Sequence, residues 1–351
     1  MIALKVTGEL ENSSSVLLNN EPYPMGQVIR GAFGYIFLQM GLDIAKSYWN
    51  GHPILYFRDC FVKHGDKCGG SIIPIGSKAY VCNKCGQLIA EPTVKDSVIG
   101  VHLGEHRVQS FYNDGITEKK TFKFEIILNL KKIPGDKEGD EVQRLSDFLS
   151  ALEYAKDNDL NIGKRGDKGF GKITLKNVEK KEINKRDIDR RSDYLAGKVR
   201  ENNGKMTLHF LSDIVSETVI MPEDILRDCK NAAKYFGIGK WAEDPDEVTS
   251  VTKYEQPKMT IMKGRNDPRS VVQFLDLKID PLTNEGVPLN TKLNVISRGT
   301  KLDCLLNNGE NLDDIYGNDR YKKWFDTLAS AEMLRGFGHR TSFGKGQFRV
   351  L

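Results

Sequence analysis

The sequence predicts an α+β fold in which one unit is built twice. Three observations lead there. A glycine loop, G-x-R-x-x-x-G-x-G, occurs at residues 163–171 and recurs without a gap at 338–346. Each copy follows a helical pattern and precedes a strand-like alternation. A fixed element closing each half of a chain marks a duplicated unit. A length of 351 residues suits two ordinary domains.

In the first half, Ile2, Leu4 and Val6 alternate as a strand over residues 2–10. After Pro22 and Pro24, the residues Val28, Ile29, Phe33, Ile36, Phe37 and Met40 fall at helical spacing. Gly31 and Gly34 are unfavourable inside that helix, which implies that something approaches it closely. Arg30 near its start gains nothing from the helix dipole, and a ligand phosphate would account for it. Residues 97–102 and 121–130 read as strands, the second alternating through Phe122, Phe124, Ile126 and Leu128. Between them His106, Arg107, Phe111 and Tyr112 form a loop that suits stacking on bases and contact with phosphates. A helix over 141–154 and a strand through Ile173, Leu175 and Val178 complete βαββαβ, the order of a ferredoxin-like, RNA-recognition-type sandwich.

Residues 52–92 interrupt this unit and carry Cys60, Cys68, Cys82 and Cys85. Cys82 and Cys85 form a C-x-x-C-G knuckle that aims two thiolates at one tetrahedral ion. Cys60 and Cys68 are spaced more widely, and His64 is able to replace one of them. The segment is rich in Gly, Lys and Ser, so a structural zinc ion is the expected staple. Six cysteines in this length are too few for a disulfide scaffold.

Residues 179–204 are dense in charge of both signs and read as a solvated linker, with Arg186, Arg190, Arg191 and Arg200 as possible RNA contacts. The second unit then spans 205–351: a strand at 205–211, a helix at 222–236, an irregular loop at 241–258, strands at 271–279 and within 292–306, a helix at 312–334 broken near Gly317, and a last strand at 347–351. Cys229 and Cys304 fall on core patterns. The first unit takes residues 1–178.

The loops carry the functional expectation. Gly163, Gly169 and Gly171, like Gly338, Gly344 and Gly346, permit positive φ and close backbone approach, and such turns make anion-binding nests. Arg165 and Arg340 sit at the same register, and a guanidinium fork matches a phosphate. Lys164, Lys168, Lys172, Lys345 and Arg349 add charge. The net charge is only +4, so a nucleic-acid surface has to be local. No leading apolar segment and no membrane-length run is present, which points to the cytoplasm.

Two ferredoxin-like units, each closing on a G-x-R-x-x-x-G-x-G loop, resemble the RAMP superfamily of CRISPR-associated RNA-binding proteins. The segment 26–35 is similar to its first-helix motif, and 332–346 is the strongest match. Residues 98–112, Val271–Asp276 and the stretches 286–288 and 296–300 look like the Cas-five-like (Csx-ten) branch, the two-unit subunit of type III effector complexes. That branch implies a non-catalytic protein that holds the 5′ handle of the guide RNA and contacts the large subunit and backbone RAMP subunits, in antiviral defence. A second branch, the repeat-processing endoribonuclease, implies metal-independent cleavage by a base acting on the ribose 2′-hydroxyl. Its base is often a histidine near the first helix. Here that helix offers only Tyr35, with His339 and His106 as other candidates.

Overall fold

The computed structural model describes the chain except residues 17, 19–20, 46–53, 77–78, 91, 94, 104–107, 117–118, 133–135, 164–170, 217, 239–258, 265, 269, 280–285 and 307–318. Strand β1 (Ala3–Asn12) lies between β9 (Thr121–Asn129) and β11 (Lys172–Ile183), antiparallel to both. Strand β2 (Leu55–Phe57) adds to the far edge of β9. Helices α1 (Gly26–Gln39) and α2 (Asp140–Asp157) cover one face of this sheet. The alternation of β9 explains the choice of face: Phe122, Phe124, Ile126 and Leu128 point into a core shared with Phe33, Phe37 and Phe148. The Phe33 and Phe148 rings stand 6.2 Å apart.

The second half repeats the scheme. Strand β12 (Lys205–Phe210) lies between β17 (Lys301–Leu306) and β18 (Phe348–Val350), and β14 (Met259–Lys263) lies on the outer edge of β17. Helices α4 (Pro222–Tyr235) and α5 (Asp319–Ser330) contribute to its core. Counting main strands in chain order, each sheet runs fourth, first, third, second, with every pair antiparallel. That order is consistent with a ferredoxin-like sandwich. Each half also extends a long hairpin before its third strand: β7 (Lys95–Leu103) with β8 (Val108–Ile116), and β15 (Ser270–Ile279) with β16 (Gly286–Ile296). Phe111 and Tyr112, expected in a loop, therefore lie on a strand, opposite Gly100 and Ile99. The expected irregular loop at 241–258 and the helix start at 312–318 lie outside the described residues.

Residues 179–204 are not a solvated linker. Strand β11 continues to Ile183, and α3 (Lys185–Glu201) follows, opened by a capping box between Asn184 and Asp187. Ile188, Ser192, Leu195 and Val199 form a narrow buried stripe that joins the second core. Four buried positions among seventeen residues hide the helix from a composition reading. Arg191, considered as an RNA contact, pairs bidentately with Glu332 at 2.6 Å through both nitrogens.

Both glycine loops close in the same way. Ile162 donates its amide to the Gly171 carbonyl at 2.9 Å, and Phe337 donates to the Gly346 carbonyl at 2.8 Å. Gly171 and Gly346 have φ of 78° and 71°, and a Cβ on either would overlap the carbonyl oxygen of that same partner. Each glycine amide then donates to the segment after the first strand of its half, to Ser15 O and to Asp213 O. Among the described residues no helix is long and apolar enough to cross a membrane.

Gly171→Ala and Gly346→Ala are each expected to lower stability by about 2–3 kcal/mol, because a side chain must be held at positive φ while the closing contact opens. Urea unfolding measures this, and wild-type midpoints would contradict the shared closure.

Candidate nucleic-acid interface and metal centre

The C-terminal loop is anchored at the junction of the two halves. Gly344 has φ 84°, and a Cβ there would come within 2.8 Å of Gly26 Cα, at the start of α1. The Gly26 amide donates to Asp59 Oδ1 at 2.8 Å. Lys345, expected to offer its charge to a polyanion, is instead fully buried, and its Nζ donates to Asp213 Oδ2 at 2.9 Å. Burial opposes ionisation of both partners. Their mutual attraction outweighs it, with Arg298 helping Asp213 and Asp59 helping Lys345, so the carboxyl is held below and the ammonium above its ordinary range. Asp59, also buried, is pushed up to about 6 by desolvation, against the pull of Lys345. The Arg298 amide donates to Asp213 Oδ1 at 2.9 Å, and its guanidinium pairs with Glu21. None of these acidic partners was singled out from the sequence. Asp213 stands at the position of Ser15 in the first copy, which is the signal that alignment of the two halves offers.

The accessible part of this loop lies near its start. His339 is exposed and Arg340 half-buried at φ 57°. The Arg340 guanidinium lies 5.1 Å from the centre of the Phe343 ring. Arg30, a buried residue of α1, lies 4.0 Å from the centre of the same buried ring. Two arginines expected from separate motifs thus converge on one aromatic. Beside Arg30, the position of a Cβ on Gly31 faces open space, and Tyr35, one turn on, is 53% exposed. In the first loop Gly163 and Gly171 take the positive φ expected, 81° and 78°. Arg165 and Gly169 lie outside the described residues, as do His106 and Arg107. The side chains of Phe111 and Tyr112 are likewise not described. A cleft of about 430 Å³ on the first sheet is lined by Glu9, Asp59, Glu125 and Glu179 against Lys123, a balance that repels a polyanion.

The cysteine-rich insertion folds into a ribbon: β3 (Phe61–His64), β4 (Gly70–Pro74), β5 (Tyr80–Cys82) and β6 (Leu88–Ile89). It brings together His64, Cys68, Cys82 and Cys85, whose donor atoms all lie within 4.8 Å of one another. Cys68 Sγ and Cys82 Sγ are 3.5 Å apart, and Cys85 Sγ and His64 Nδ1 are 3.4 Å apart. A tetrahedron with Zn–S of about 2.3 Å and Zn–N of about 2.0 Å has edges of about 3.5–3.8 Å, which these two separations approach. Burial works against the Cys82 thiolate, but the Cys85 and Lys84 amides outweigh it and bring the thiol down to about 6. Gly86, at φ 74°, donates to Cys82 O and closes the knuckle. A Cβ on Gly70 would meet Cys82 Sγ. Cys60 is not in this group. It precedes β3, is fully buried in the first core, and burial pushes its thiol well above the ordinary range. His64 takes the fourth place.

No protein-family model matches the sequence, and no curated protein does. Solved structures similar to this chain include CRISPR-associated and RAMP proteins. A CRISPR-associated protein Cas6 aligns over 99% of both chains at 10% identity and a TM-score of 0.37. A Cas6-related protein of Pyrococcus furiosus aligns over 99% of this chain and 98% of its own, at 12% identity and a TM-score of 0.37. A RAMP protein described as binding different RNA substrates aligns over 99% of both, at 12% and 0.33. Likenesses of this size leave the function to be argued from the residues.

Lys345→Met is expected to cost about 3–5 kcal/mol at neutral pH, since it strands a buried carboxylate. Without the ammonium, the carboxyls of Asp213 and Asp59 rise in the folded state. The deficit therefore shrinks as pH falls toward about 4 and they protonate. Urea unfolding at both pH values measures this, and a deficit independent of pH would contradict the ion pair.

Proposed function

We propose that the chain is an RNA-binding CRISPR protein of the RAMP superfamily, built of two ferredoxin-like units over residues 1–178 and 205–351, and that it is a non-catalytic subunit of a type III effector. It holds the single-stranded 5′ handle of the guide RNA and docks neighbouring subunits. The convergence of Arg30 and Arg340 on Phe343 carries this reading. It joins the first helix and the last loop into one basic spot, beside an open glycine position and the exposed His339. Guanidinium groups held over an aromatic ring are pre-positioned, which lowers the ordering entropy of contact with phosphate oxygens. Gly31 fits the same surface. Among the described residues nothing fills its side, yet glycine weakens a helix by about 1 kcal/mol relative to alanine. A strand of RNA passing over α1 accounts for that preference. Zinc held by His64, Cys68, Cys82 and Cys85 is structural, because four protein ligands close the tetrahedron.

Gly31→Ala separates function from packing. It is expected to raise stability by about 1 kcal/mol and to weaken binding of a 5′-handle RNA. Arg340→Ala is expected to weaken binding and to flatten its dependence on salt by about one phosphate contact. Unchanged affinity and salt slope in both variants would remove this surface from the reading. Incubating the same protein with labelled repeat RNA in chelator tests the enzymatic alternative. A single cut abolished in His339→Ala would replace the subunit reading with a processing endoribonuclease.

The purified chain is expected to carry about one equivalent of zinc by elemental analysis, and Cys60→Ser to retain it. Loss of zinc in Cys60→Ser, with the fold intact by circular dichroism, would return Cys60 to the ligand set.

A further inference from the structure

The ribbon reaches both halves of the molecule. At its base, β3 pairs with β9 of the first sheet, Phe61 opposite Lys123 and Val62 opposite Phe122. Beside that base, at the end of β4, the Pro74 carbonyl accepts a hydrogen bond from His209 Nε2 at 2.8 Å, and His209 is a fully buried residue of β12. Burial brings the His209 ring down to about 4, so the ring is neutral and Nε2 carries the proton that it gives to Pro74. Two residues on, Gly76 lies against the turn between β16 and β17. Gly299 there has φ 78°, and a Cβ on it would stand 2.8 Å from Gly76 Cα and closer still to Gly76 N. That turn is bonded to β12 in both directions, Gly299 donating to Phe210 O at 2.8 Å and Phe210 to Thr300 O at 2.9 Å. Its Arg298 lies over the Tyr23 ring, which in turn meets Phe61 of β3 edge-on at 5.2 Å. The side chain and amide of Arg298 also tie Glu21 to Asp213, the partner of Lys345.

We propose that the metal at His64, Cys68, Cys82 and Cys85 makes the ribbon a rigid bracket that fixes the second half against the first. The physical reason is size. The ribbon strands are two to five residues long, too short to hold their register unaided. Among the ribbon residues, His64 ends β3, Cys68 precedes β4, Cys82 ends β5 and Cys85 precedes β6, so one ion ties all four strands at one end. The opposite end, 74–76, is the part that grips β12 and the 297–300 turn. Metal occupancy therefore governs contacts made at the other end of the ribbon, in the half of the chain that supplies no ligand. This rests on the metal assignment and is independent of the RNA reading.

Hydrogen exchange of the full-length chain, read by mass spectrometry with and without chelator after metal content has been measured, tests it. Metal removal is expected to speed exchange about tenfold or more within the ribbon and also in peptides covering 208–213, 297–300 and 343–348, while α2 keeps its protection. A rise confined to residues 61–89 would overturn the bracket. A chain that carries no metal as purified would overturn both the bracket and the metal assignment. Gly299→Ala supplies a second route should chelation unfold the whole chain. It is expected to keep its metal and to loosen the same second-half peptides. Metal-loaded Gly299→Ala with wild-type exchange there would overturn the proposal as well.

Discussion

A lysine ammonium with no solvent access is the constraint around which the junction is arranged. Removing such a charge from water costs several kcal/mol, and the penalty is offset only by a partner placed accurately beside it. Lys345 meets Asp213 at 2.9 Å, with Asp59 close enough to raise its affinity for the proton further. Each acid is fixed in its turn: Asp213 accepts from the Arg298 amide, and Asp59 from the Gly26 amide. The end of the chain, the start of the first helix and the turn before β17 are thereby brought to one point. Glycine at 26 and 344 is then required, because the two backbones meet where side chains would stand. The placement of Arg30 and Arg340 on Phe343 follows from that meeting.

Periodicity and repetition made much of the fold legible. The alternation of β9 is clean because one face of its sheet is covered by helices, and the loops could be aligned because each closing glycine obeys the same backbone demand. What stayed hidden was hidden for physical reasons. Helix α3 buries only Ile188, Leu195 and Val199 as apolar residues, too few against the charges that solvate its outer face. Cys60 and His64 are four residues apart, and both residue types bind metal. Which of them does so depends on where β3 begins, and Cys60 falls on the core side of that boundary. The charge of Lys345 looked available because its partners are 132 and 286 residues away in the chain.

The two loops, so alike in pattern, differ in what fills them. Position eight of the motif is Lys345 in the second copy and Phe170 in the first, and position six is Phe343 in the second and Lys168 in the first. The acceptor for the last glycine changes in step, from Asp213 to Ser15. A buried lysine without an aspartate, or a buried aspartate without a lysine, is unfavourable, so these substitutions belong together. In the second copy the charge at position eight is spent inside the protein, and an aromatic ring at position six gathers arginines from both halves. The first copy keeps Lys164, Arg165 and Lys168 in its sequence and has Phe170 at the position of Lys345. The glycines answer the same closing geometry in both. The two halves thus share the closure of their loops, whereas their chemistry differs: position eight of the second copy joins the halves through its ion pair, and the first copy has an apolar residue there.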